Sequence, residues 1–111
     1  MKTLENWFHR GPKNHRIYYK VIMRNENAGL FQLFIKEPDM EDYGHVGWEV
    51  SKIISREETE LFGHTLEAKE VLIGDDKFGF DGSKAFFPYQ QEEAMDYYLL
   101  YSQKPLHPIA N

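Results

Sequence analysis

The sequence predicts an α+β domain, an antiparallel sheet of four to five strands with a C-terminal helix packed on one face and one short additional helix. Three observations carry this expectation. Two alternating apolar runs, Arg16–Arg24 and Leu30–Lys36, flank a turn of Asn, Ala and Gly. A third run, Gly44–Ile54, is rich in β-branched residues and carries two glycines. Finally, Ala94, Tyr97, Tyr98 and Tyr101 recur at helical spacing behind Pro88.

Residues 1–15 are polar and broken by Gly11-Pro12, which predicts an irregular lead-in. In the first strand Ile17, Tyr19, Val21 and Met23 share one face, and Tyr18, Lys20, Ile22 and Arg24 the other. Asn25-Glu26-Asn27-Ala28-Gly29 reads as a five-residue hairpin loop. In the second strand Phe31, Leu33 and Ile35 alternate with Leu30, Gln32, Phe34 and Lys36. Glu37–Tyr43 is an acidic loop entered through Pro38. Gly44–Ile54 fits a strand with Val46, Trp48 and Val50 on one face, although Val46, Val50, Ile53 and Ile54 also fit helical spacing.

Ser55-Arg56-Glu57-Glu58 matches a capping box, so a short helix from Arg56 to about Phe62, stopped by Gly63, is expected. Thr65–Ile73 fits strand or helix, with Val71-Leu72-Ile73 favouring a strand. Asp75–Gly82 reads as a glycine-rich turn, and Lys84–Tyr89 as an edge strand ending near Pro88. The last helix spans about Gln90 to Gln103, with Glu92 and Glu93 complementing its dipole. Pro105 and Pro108 end it, leaving 104–111 as an extended tail. The expected core is Tyr19, Val21, Leu33, Ile35, Trp48, Val50, Leu72, Phe86 and Leu99.

A chain of 111 residues fits one domain, 1–111, and buries a core without metal or disulfide staples. Cysteine is absent, which excludes a disulfide framework, a thiolate zinc site and a cysteine nucleophile. No run has the length of a signal peptide's apolar region or of a membrane helix. The expected location is therefore the cytoplasm, of its own cell or of a host cell.

Motifs for chemistry are lacking. His9, His15, His45, His64 and His107 show no metal-ligand spacing, so no metal or cofactor is expected. Asp75, Asp76 and Asp81 lack the alternation and the later Glu of a calcium loop. No serine lies in G-x-S-x-G, and Gly79–Lys84 lacks phosphate-loop spacing.

Charge is the more informative signal. The net charge is −5, but residues 1–24 hold six basic residues against one acidic, and residues 25–111 hold seven against seventeen. The first expectation from this is a non-enzymatic protein-binding module, a small acidic inhibitor or adaptor docking on a basic partner that itself binds nucleic acid. Its contacts would be Glu37, Asp39, Glu41 and Asp42, with Glu57, Glu58 and Glu60 as a second group. The second expectation is nucleic-acid binding through Trp7, Arg10, Lys13 and Arg16, which interleave a ring with positive charge. The acidic remainder of the chain opposes it. The third is a small enzyme or ligand-binding domain with a pocket between sheet and helix. The tyrosine-rich helix face packs on the sheet as core, or else serves a partner or a homodimer.

Overall fold

Asn25 turns the chain sharply enough to start the sheet. Its side-chain oxygen accepts from the backbone N–H groups of Asn27 and Ala28, both at 2.8 Å, so the loop needs three residues rather than five. The computed structural model describes residues 1–73 and 82–103. Within them lie β1 (Trp7–Arg10), β2 (Ile17–Arg24), β3 (Ala28–Ile35), β4 (Gly44–Arg56), β5 (Thr59–Leu61), β6 (His64–Leu66), β7 (Lys69–Leu72), β8 (Lys84–Phe86) and α1 (Gln91–Ser102).

The main sheet is antiparallel and runs β1-β2-β3-β4-β7, with β8 also paired to β4. Long β4 serves three neighbours. Its residues 44–52 face β3, residues 48–50 face β8 and residues 53–56 face β7. Two irregularities bend the sheet, at Ile22 on β2 between Val21 and Met23, and at Val46 on β4 opposite Leu33 and Phe34. Such shifts raise local twist and reset the alternation of side chains. The regular Ile17–Met23 face expected from the sequence therefore stops at Val21.

The sheet curls, and the N-terminal residues strap its edges together. Lys2 bridges to β7, donating to Ala68 O at 3.1 Å and accepting from Glu70 N at 2.9 Å. Four residues later Asn6 O accepts from Val21 N at 2.9 Å, and β1 continues along β2. The lead-in expected to be irregular thus contains a strand. Arg24 on β2 completes the closure, with a bidentate ion pair to Glu70 on β7 at 2.8 Å for both bonds. Glu70 also accepts from Leu4 N at 2.9 Å.

The curl makes two cores. Inside it Tyr19, Phe31, Ile53 and Leu72 are buried, with Phe8, Ile17, Val21 and Leu33 packed against them. On the outer face α1 covers Ala28, Leu30, Trp48, Val50 and Phe86 with its own Ala94 and Tyr98. β3 and β4 are buried from both sides, so neighbouring residues such as Leu30 and Phe31 are both fully covered. Glu92 and Glu93 lie in the first turn of α1, and Gln90 Oε1 accepts from Phe87 N at 2.8 Å ahead of it.

Three expectations need correction. The short helix from Arg56 to Phe62 is absent; β4 runs on through Arg56, and Thr59–Leu66 forms a separate β5–β6 hairpin. The capping-box signal is overridden because Ile54, Ser55 and Arg56 are held in the ladder with β7. Leu99 is exposed rather than core, because Ala94 and Tyr98 already face the sheet and Leu99 lies a further turn of about 100° around the helix. Val21, Leu33 and Ile35 are only partly covered. The expected turn at 75–82 and the tail 104–111 fall outside the described residues, apart from Gly82. No described helix is long and apolar enough to cross a membrane.

Candidate functional site

Helix α1 covers only part of the outer sheet face. Beyond it, the same face continues as a cluster of rings. β-strand alternation sends Trp7 and His9 to the outside and Phe8 and Arg10 to the inside. Cross-strand register then places Tyr18 opposite His9 and Phe34 opposite Tyr18. Trp7 stacks on Tyr18 with centroids 5.7 Å apart and lies 5.6 Å from Phe34. Tyr43, from the end of the acidic loop, meets Trp7 edge-on at 5.2 Å and Tyr18 at 5.0 Å. His45 extends the cluster from Phe34 to Trp48.

Trp7 is the hub of the cluster, in ring contact with Tyr18, Phe34 and Tyr43. A ligand would lie on top of them. Trp7 and Tyr43 remain 40% and 47% exposed, which leaves aromatic surface facing solvent. Beside Trp7 an open groove of about 720 Å³ runs past Lys20, Ile22 and Phe34 toward Arg24.

Tyr43 fastens the acidic loop to this face. Lys36 supports the loop from below, its ammonium donating to the carbonyls of Glu37 and Met40. Glu37, Asp39, Glu41 and Asp42 are all exposed. They lie along the loop that Tyr43 joins to the aromatic patch. Glu57, Glu58 and Glu60 are exposed too, but they follow the far end of β4, whose thirteen residues span up to about 40 Å. The two acidic groups named from sequence do not converge.

The basic aromatic set is divided as well. Trp7 belongs to the outer patch. Arg10 points into the curl, where its guanidinium lies 5.8 Å from the Tyr19 ring and donates to Ile73 O at 3.2 Å. Lys13 and Arg16 are exposed in the loop between β1 and β2. Sequence reading missed Tyr18, Phe34 and Tyr43. The available signal was alternation, since Trp7, Tyr18 and Phe34 each flank inward-facing positions.

A polar cluster inside the curl has a different character. Glu49 is 7% exposed, and its carboxylate accepts from Ser51 Oγ at 2.5 Å and from Tyr19 Oη at 3.3 Å. Burial first, then the Glu49 charge, push the Tyr19 phenol well above its ordinary pKa. The phenol thus stays protonated and serves as a donor. Because its folded pKa is raised, the stability it supplies is complete below the unfolded value near 10 and is lost as pH climbs beyond it. Tyr19→Phe is expected to cost about 1–2 kcal/mol at neutral pH. It should also flatten the alkaline loss of stability above about pH 10, as read from urea midpoints at a series of pH values.

Among the described residues, no three His, Asp or Glu side chains come together as a metal site. Comparison with known protein families, with curated proteins and with solved structures gives no match.

Proposed function

We propose that this chain is a protein-binding module that docks a basic segment of a partner on its outer aromatic face. The observation that carries the reading is the position of Tyr43, which follows the acidic Glu37–Asp42 segment and packs on Trp7 and Tyr18 of the ring cluster. Ring faces attract guanidinium and ammonium groups, and the carboxylates of the adjoining loop add long-range attraction and orientation. Arginine suits the site best, because its flat guanidinium stacks on an exposed ring while its edge donates to carboxylates. Glu57, Glu58 and Glu60 fall outside this surface.

The test uses a short Arg/Lys-rich synthetic peptide and a single-stranded oligonucleotide as probes, measured by isothermal titration. Simultaneous Asp39→Lys, Glu41→Lys and Asp42→Lys should weaken peptide binding by roughly ten- to a hundredfold. A control with the same charge change on the helix, Glu92→Lys, Glu93→Lys and Asp96→Lys, should leave binding nearly intact. Equal binding by the loop variant and the wild type would overturn the reading. Binding of the oligonucleotide in preference to the peptide would replace it with single-strand recognition through Trp7 and Lys20.

A further inference from the structure

The tip of the β5–β6 hairpin stands away from the sheet, while Thr65 and Leu66 near its base line the groove at the N-terminal strap. The hairpin's strands pair only with each other, and neither contacts another strand or the helix. At its base Arg56 donates to Glu67 O at 3.3 Å and Lys2 pairs with the Glu67 carboxylate at 3.1 Å. The turn is two residues, Phe62 and Gly63, closing the Leu61–His64 pair. Both have positive φ, 51° for Phe62 and 77° for Gly63. Such a turn favours Asn-Gly, and an aromatic residue in its first position is strained. Phe62 is nevertheless 91% exposed, and Leu61 beside it is more than half exposed. Folding gains nothing from a large ring held in that place. A strained and uncovered ring at the tip of an unsupported hairpin points to use in binding.

The chain also carries a socket that fits this tip. The groove beside Trp7 and Phe34 has Ile22 and Met23 along its wall, and its charged lining residues are Lys20 and Arg24. No carboxylate lines it, whereas the other large groove, at the N-terminal strap, includes Glu5, Glu67 and Glu70. Arg24 is already paired with Glu70, so the finger brings the complement for the rest: Phe62 and Leu61 for the apolar wall, and Glu57, Glu58 and Glu60 for Lys20.

We infer that the β5–β6 finger of one copy inserts Phe62 into the Trp7–Phe34 groove of a second copy of this chain. The contact joins two different surfaces, so association is head to tail. A hairpin tip covers little area, and the association is correspondingly weak. The inference stands apart from the basic-partner reading, since it is measured on the protein alone.

Sedimentation velocity of the full chain at low salt, from about 10 μM to about 1 mM, tests it in the range expected for a small interface. The weight-average mass should rise with concentration. Phe62→Asn should remain monomeric throughout. Asparagine suits the left-handed backbone, so this variant keeps its fold, which circular dichroism checks. Lys20→Glu alone and the pair Glu58→Lys with Glu60→Lys alone should each lose association. Mixing those two proteins should restore it, because the reversed finger then meets the reversed groove. A monomeric wild type at every concentration, unchanged association of Phe62→Asn, or a mixture that stays monomeric would overturn the inference.

Discussion

Phe31→Ala is expected to lower the unfolding free energy by about 3–5 kcal/mol, the largest stability effect of any single truncation considered for this chain. Phe31 has no exposed surface and lies on β3, which is paired on both sides. Inside the curl its ring meets Phe8 and Tyr19 edge-on at 5.9 and 5.8 Å. It also lies over Gly29, where an added Cβ would come within 2.5 Å of the Phe31 ring. The site therefore has a glycine floor and aromatic walls, all held by sheet hydrogen bonds, and cannot collapse far into the space left by truncation. Poor collapse puts the cost at the upper end of the range. A domain of this size has a total stability of roughly 5–15 kcal/mol, so the variant loses a large fraction of it. Urea unfolding should show a lower midpoint with an unchanged slope. A loss below about 1 kcal/mol would mean that the curl is not tightly packed.

The second large effect is expected at the strap. Glu70→Ala removes a bidentate partner from Arg24 and the acceptor for Leu4 N in one step. An exposed pair would be worth under about 1 kcal/mol, and breaking a fully buried one would cost about 3–5. The Arg24 and Glu70 side chains are 26% and 14% exposed, between those limits, which sets the expected loss at about 2 kcal/mol. The loss should be local as well as global, with faster hydrogen exchange at Leu4 and Val21, the amides that tie the strap down.

The pH dependence follows from the same contacts. Hydrogen bonds from Arg24 and then from Leu4 N hold the Glu70 carboxyl at about 2, well below its ordinary range. A depressed folded pKa means the stabilisation is complete above the unfolded value near 4.5 and fades as pH falls toward about 2. Glu70→Ala should therefore differ from wild type at pH 7 and converge with it near pH 2. A gap that persists at low pH would assign the effect to lost packing instead.

Much of the sheet was legible in the sequence, because β2 and β3 alternate cleanly and the chain between them is turn chemistry. β1 was hidden because only four residues form it and half of them are polar. The double burial of β3 was hidden for another reason. Alternation rules assume one wet face, but the curl and the helix together leave neither side of Leu30–Phe31 open to solvent. The phantom helix after Ser55 arose from a local capping signal that has no force once the preceding residues are held in a ladder.

The proposed binding surface was half legible. The Glu37–Asp42 segment stood out by composition, but the rings beside it come from β1, β2, β3 and the loop before β4, and only register brings them together. The second acidic group was joined to the first on charge alone. As an extended strand, β4 carries Glu57, Glu58 and Glu60 away from the aromatic face.

The most direct test of that face is a nitrogen–proton NMR titration with the Arg/Lys-rich peptide. The two tryptophans give an internal comparison, since Trp7 is part of the patch while Trp48 is buried and donates its indole N–H to Pro88 O at 3.0 Å. The Trp7 indole and the amides of 37–43 should shift together and saturate together, while the Trp48 indole stays in place. Shifts confined to the β5–β6 finger or the 11–16 loop, with Trp7 and 37–43 unmoved, would contradict docking on this face.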